Sequence, residues 1–330
     1  MQPNKNDFSR FTGMLYPHLL ELEKMRKQGI ITLILTKILY FLVPFLLSFA
    51  SRHRIIELPP GQILLLIILG LILMRVLDKL IPREMFIRNN IRNYYKTTIV
   101  EPMVSLFSPD YEYAANESVS LSSFIESGIF LYVPEKYSGD DFVFGKLNET
   151  YFTFSEISAE RLVSGKASLR TSNTAFKPVF KGIFANIERK SNVFDRVLII
   201  PKYSNYFDEV SQGLFQKQDQ TRTIFPVVGN RDFEKLYNVY AHDALEVQNF
   251  VTPELMAYLL HLYDELHTKV NISFTKRSTF FALEFKDPLF EPFYFKTVID
   301  KNHILKNFSI FSTTFSLIDF LTKNSHQKTT

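Results

Sequence analysis

Two long apolar runs interrupt an otherwise mixed pattern of hydrophobic and polar positions. Residues 30–50 place fourteen Ile, Leu, Val or Phe in twenty-one positions. Residues 58–74 contain an uncharged core, Ile63–Met74. On an insertion scale each large apolar residue contributes roughly 0.3–0.6 kcal/mol, which together outweighs about 2.5–3.5 kcal/mol for the lone Lys37. Both runs predict transmembrane helices, the second near the lower length limit, with Lys37 snorkelling and Pro44 kinking the first. The linker between them is short, so the two spans predict a hairpin.

Ahead of the first run, Phe11–Gln28 reads as a helix, with Leu15, Leu19, Leu22 and Met25 at helical spacing. Beyond the second, Pro82–Leu106 reads as a helix and Ser108–Ser123 as a polar connector with a short helix. Alternation then predicts strands at Phe142–Leu147 and Tyr151–Ile157, joined by a hairpin at Asn148-Glu149. Further strands are expected at Val179–Glu188, Arg196–Ile200 and Thr223–Val228, with a short helix at Phe233–Val239. Pro253–Thr268 is the clearest helix: Thr252 is suited to cap it, Pro253 fits the first turn, and Leu255, Leu259, Leu262, Tyr263 and Leu266 form one stripe. Strands at Val270–Phe274 and Thr279–Phe285 and an amphipathic helix over His303–Leu321 complete the pattern.

The fold class expected is α+β, a two-helix transmembrane hairpin followed by a cytoplasmic domain with a mostly antiparallel sheet and flanking helices. The divisions are 1–29 (cytoplasmic N-terminal helix), 30–50 and 58–74 (the spans), 75–122 (juxtamembrane helix and connector) and 123–330 (cytoplasmic α+β domain).

Charge sets the orientation. Residues 1–100 hold 14 Lys+Arg against 6 Asp+Glu, whereas residues 101–330 hold 24 against 28. Lys24, Arg26 and Lys27 precede the first span; Arg75, Lys79, Arg83, Arg88, Arg92 and Lys96 follow the second. Only Arg52 and Arg54 lie between them. By the positive-inside rule both termini are cytoplasmic, in a multi-pass cell-membrane protein with two spans. The basic residues from 83 to 96 are expected at anionic lipid or against the body. A body with a slight negative balance argues against nucleic acid as a partner. The chain has no Cys, which excludes disulfides and thiolate metal sites. Four Asn-x-Ser/Thr matches, at Asn116, Asn148, Asn271 and Asn307, read as chance in a cytoplasmic domain.

An ordered set of short blocks makes the chain resemble a bacterial membrane-protein family catalogued as domain of unknown function 3137. They are Tyr137-Ser-Gly-Asp-Asp, Gly145, Phe152-Thr-Phe-Ser-Glu156, Phe180-Lys-Gly-Ile-Phe184, Asp232 through Asp243, Thr252-Pro-Glu-Leu-Met256 and Leu289-Phe-Glu-Pro292. The resemblance covers about residues 90–320. It implies a membrane-anchored domain without established activity, and a link to membrane proteins of the LemA type.

Candidate sites are each outweighed by a structural reading. His242-Asp243 lacks a Ser elbow or Gly-rich loop. His261 and Glu265 are four apart on a helix, without a third ligand in view. Ser138-Gly139-Asp140-Asp141 reads as a turn with solvated acids rather than a calcium loop, and Gly182 as a bulge or close backbone approach. No catalytic, cofactor-binding or metal-binding residue is assigned, and no cofactor. The function expected is a non-enzymatic membrane-anchored module that binds a protein partner or lipid headgroup. The alternative is a membrane-associated enzyme acting on a lipid or peptide, with a channel or transporter third.

Overall fold

Nine strands form one sheet in which every pairing among the described residues is antiparallel, in the order β1-β2-β3-β4-β9-β8-β5-β7-β6. The computed structural model describes residues 5–52, 59–80, 83–164, 174–189, 196–202, 223–225, 230–242 and 244–326. The strands are β1 (Glu112–Ala114), β2 (Lys136–Leu147), β3 (Thr150–Ser164), β4 (Thr174–Glu188), β5 (Val197–Pro201), β6 (Thr223–Phe225), β7 (Tyr237–Ala241), β8 (Val270–Phe274) and β9 (Ser278–Glu284). The helices are α1 (Lys5–Arg52), α2 (Pro60–Leu80), α3 (Arg83–Tyr95), α4 (Glu101–Ser105), α5 (Leu121–Glu126), α6 (Arg231–Leu236), α7 (Ala244–Phe250), α8 (Pro253–Leu266) and α9 (Lys301–His326). The α+β class and the antiparallel sheet are as expected.

The chain divides into two compact units. The sheet unit comprises residues 103–290 and 305–330, and the helical unit comprises Pro3–Pro102 with Glu291–Ile304.

In the sheet unit, both faces are covered, so successive strand residues are apolar on both sides of the pleat. Phe152 and Phe154 on β3 meet Phe311 and Phe315 of α9, with ring centroids 5.4–6.1 Å apart. On the opposite face Phe180 and Phe184 of β4 pack around Phe124 of α5 and Phe130. The predicted hairpin forms at Asn148-Glu149, both with positive φ, as a two-residue turn between paired Leu147 and Thr150 requires. Asn148 Nδ2 donates to Asp319 Oδ1 at 2.9 Å, tying this turn to α9. The helix α8 starts as its sequence predicts: Thr252 Oγ1 accepts the Leu255 N–H, and Pro253 stands in the first turn.

Some local expectations change. Tyr237–Val239, expected in a helix, belongs to β7, which lies between β5 and β6 and is buried throughout. Central pairing overrides the weak helical spacing there. Residues 226–228 of the expected fifth strand lie outside the described residues. The Ser138–Asp141 turn is in fact part of β2. Asn271 and Asn307 are buried.

In the helical unit, α1 runs continuously from Lys5 to Arg52, so the N-terminal helix leads straight into the first apolar run. It contacts both α2 and α3. Its lower part buries Phe11, Leu15, Leu19 and Leu22, and α3 contributes Ile91 and Tyr95. A π-helical turn, Lys96–Val100, follows α3. Among the described residues, no helix is long and apolar enough to cross a membrane. The transmembrane hairpin expected over 30–50 and 58–74 is therefore not supported at the level of the fold. Lys37 interrupts the first apolar run, and Arg75, Asp78 and Lys79 close the second.

Candidate functional site

Two places concentrate unusual chemistry, one in each unit. In the helical unit the later part of α1 and α2 exposes apolar side chains, although the start of α1 and α3 bury theirs. Ile31, Ile34, Leu35, Ile38, Leu42, Phe45, Leu46 and Phe49 on α1 are each 44–65% exposed, and α2 exposes Leu64, Leu65, Ile68, Leu69, Leu71 and Ile72. Meanwhile Glu23 and Arg26, one turn before this surface, are buried. Arg26 grips Glu23 bidentately, with Nε to Oε2 at 2.9 Å and Nη2 to Oε1 at 2.6 Å. The same pair holds the Glu291–Ile304 segment. Arg26 Nη1 donates to the Tyr294 carbonyl at 3.1 Å, and the Val298 N–H donates to Glu23 Oε2 at 3.2 Å. The Arg26 guanidinium holds the Glu23 carboxyl down at about 2.

Glu291 plays a similar part for α3. Its Oε1 accepts from Arg92 Nε at 2.6 Å and from the ammonium of the fully buried Lys96 at 3.1 Å. Arg92 and Lys96, from the basic segment expected at lipid or against the body, and Arg26, cited for orientation, are thus turned inward onto carboxylates. The partner of Arg92 and Lys96 lies almost 200 residues away, and nothing in the local pattern announces it. Lys24, Lys27 and Lys37 remain exposed.

In the sheet unit, β2 and β3 bring three carboxylates together. Asp140 pairs with Glu156 in register, and the register shifts between Asp140 and Val143. The bulge places Asp141 at φ 56, a left-handed conformation that Asp tolerates better than most residues. Asp141 is fully buried and accepts a hydrogen bond from the Tyr113 hydroxyl. The acids of Ser138–Asp141 are therefore not a solvated turn. Glu156 is buried too and accepts the Leu289 N–H at 2.9 Å. Burial first, then Asp140 and Asp141, push its carboxyl up to about 8, against a lowering by the Leu289 N–H and Lys181. Glu156 stood only within a family block; its alternation with Phe152 and Phe154 was the available signal that it points inward.

The other candidates are dispersed. The His242 N–H donates to Glu246, while Asp243 lies outside the described residues. His261 and Glu265 meet at 3.4 Å on an exposed face of α8, and among the described residues neither joins a three-ligand metal group. Gly182, at φ 147, is a close backbone approach as expected. A Cβ there would sit 2.0 Å from the Leu283 carbonyl oxygen.

Comparison with known proteins adds the following. Residues 178–323 match the family described as "Protein of unknown function (DUF3137)", within the region where the sequence blocks place the resemblance. No curated protein matches the chain. A solved structure, the mycobacterial trehalose monomycolate transport factor A, TtfA, is similar at 8% identity over 65% of this chain and 91% of that one. Its TM-score of 0.33 carries no argument about fold or function.

Proposed function

We propose that this chain, whose residues 178–323 belong to the family of unknown function DUF3137, is a membrane-anchored interaction module without catalytic activity. In this reading α1 and α2 form the anchor, with the chain's two ends on the cytoplasmic side. The sheet domain binds a protein partner, and a LemA-type membrane protein is the first to test. One observation carries the anchor. Contiguous exposed Ile, Leu and Phe side chains on α1 and α2 form an apolar surface far larger than water-facing proteins leave uncovered. The surplus of Lys and Arg flanking these helices favours the cytoplasmic side for both ends.

The test exploits the absence of Cys. Single Gln62→Cys and Asn89→Cys variants, both at exposed positions, would be treated in intact cells with an impermeant maleimide. The reading expects Gln62→Cys to label from outside and Asn89→Cys only after permeabilisation, with the chain retained in carbonate-washed membranes. Release by carbonate, or identical labelling of the two positions, overturns it.

A second reading, a membrane-associated enzyme acting on a lipid or peptide, has one observation in its favour. Glu156 keeps its proton near neutral pH, which suits a general acid. Its burial and its engagement with Leu289 weigh for a structural role.

A further inference from the structure

The end of the apolar surface on α1 coincides with a ledge of aromatic and basic side chains. Ile87 of α3 packs directly over Gly29, whose Cβ position lies 2.5 Å from Ile87 Cγ2. Two residues further along α1, about 3 Å of helix rise, the exposed run begins at Ile31. The neighbours of Ile87 are therefore fixed at the level where α1 turns apolar. Met85 and Phe86 are both strongly exposed there.

The Glu291–Ile304 segment adds to the same level. The Tyr294 hydroxyl donates to the Arg88 carbonyl at 3.0 Å. The Arg88 guanidinium lies 4.7 Å from the Tyr294 ring centroid and 5.3 Å from that of Phe295. Phe295 is 78% exposed, the most exposed large apolar side chain in the described residues. Its neighbour Lys296 is exposed, and Lys27 projects outward beside Glu23, which also accepts the Val298 N–H. Exposed cations at this level are Lys24, Lys27 and Lys296, with Arg88 half-buried beside them. The acids beside them are Glu84, paired with Arg88 at 2.8 Å, and Glu23, gripped by Arg26 and approached by the Lys27 ammonium at 3.7 Å. The balance is positive.

We propose that this ledge docks anionic phospholipid headgroups, with Phe86 and Phe295 entering the interface and Lys27 and Lys296 contacting phosphate. The proposal rests on the membrane reading above and adds the lipid class and the residues. Three features favour lipid over an acidic protein segment. The apolar members are single, protruding side chains rather than a groove. They belong to segments held at the level where the exposed apolar positions of α1 begin. Basic and aromatic side chains at one level also match what a bilayer interface presents. The structure does something else the sequence conceals: it brings residues 295 and 296 to the start of the anchor.

The test uses the full chain in neutral micelles. Dihexanoyl phosphatidylglycerol or dihexanoyl phosphatidylcholine is titrated below its own micelle concentration while thermal unfolding is followed. The expected result is a larger rise in Tm with phosphatidylglycerol, which shrinks in 0.5 M salt. Lys27→Gln/Lys296→Gln should lose about 25-fold in apparent affinity for phosphatidylglycerol, because each lysine contributes about fivefold near an anionic surface. Its Tm without lipid should be unchanged, since neither ammonium is buried. Phe295→Ser, which leaves every charge in place, should weaken both lipids alike. Equal responses to the two lipids, or a full phosphatidylglycerol response in the lysine variant, overturns the proposal. So does stabilisation by an acidic peptide without any by phosphatidylglycerol, which would assign the ledge to a protein. Carbonate washing of the same variants separates the two readings: a chain retained in membranes but indifferent to lipid charge sinks only the ledge.

Discussion

The two units of this protein differ in how much apolar surface they leave uncovered. In the sheet unit, large apolar side chains such as Phe154, Phe184, Phe280 and Phe311 are buried and most charges face outward. In the helical unit, Glu23, Arg26 and Lys96 are buried while Ile31, Ile34 and Leu35 are exposed. One hydrophobic effect acts on both, so the contrast lies in where each unit leaves its apolar side chains. Water explains the first arrangement. The second is the arrangement that the proposed membrane reading would account for.

Breaking the contrast starts with the sheet core. Phe311 is fully buried and stacks on Phe290 at 4.2 Å. Phe311→Ala should cost about 3–5 kcal/mol and lower Tm by many degrees, measured by thermal or chemical unfolding. A loss below about 1 kcal/mol would mean that α9 does not pack on the sheet as described.

Next comes the buried ion pair of the helical unit. Glu23→Ala strands Arg26 and removes the acceptor of the Val298 N–H, at a cost of about 3 kcal/mol. Limited proteolysis should then cut within residues 291–304. Glu23→Leu combined with Arg26→Met should recover most of the loss, because a well-packed apolar pair avoids the charge-burial penalty. Acid tests the same contact. The Glu23 carboxyl is held below its unfolded value, so its contribution is present above about pH 4.5 and is lost as pH falls towards 2.

The sheet unit has the opposite pH signature. Glu156 is raised, so its native form binds the proton more tightly than the unfolded chain does. The associated stability is full below about pH 4.5 and is lost as pH rises through about 8. Glu156→Gln should flatten the stability profile between pH 5 and 8. At pH 8.5 it should raise stability by on the order of 2 kcal/mol over the parent, read from unfolding curves across pH. An unchanged profile would show that Glu156 is ionised in the folded protein.

The smallest expected effect is also the sharpest test of the contrast. Ile34→Ser/Leu35→Ser removes two large apolar side chains, yet both are exposed. Melting of the micelle-held chain should change by less than about 0.5 kcal/mol, far below any comparable loss from the sheet core. A loss of several kcal/mol would mean that this face packs against protein.

Much of the sheet was legible because period-two alternation and turn chemistry are local. Asn148-Glu149 announced its hairpin, and Thr252-Pro253 announced α8. Tyr237–Val239 was not legible, since so short a segment fits a helix or a strand equally until its neighbours are known. The acidic bulge was visible only as Asp140-Asp141. Whether those acids meet water depends on β3 and on Tyr113 of β1.

The sequence by itself determined the class of elements, the apolar runs of α1 and α2, the basic N-terminal third and the hairpin turns. These depend on residues close together in the chain, where spacing and steric preference suffice. Only the tertiary structure decided that Arg26, Arg92 and Lys96 face carboxylates rather than lipid, and that Phe295 stands beside Arg88. Those outcomes turn on the placement of residues 291–304 against helices some 200 positions earlier. Charge pairing and desolvation are set by distance in space, which no local pattern in the chain encodes.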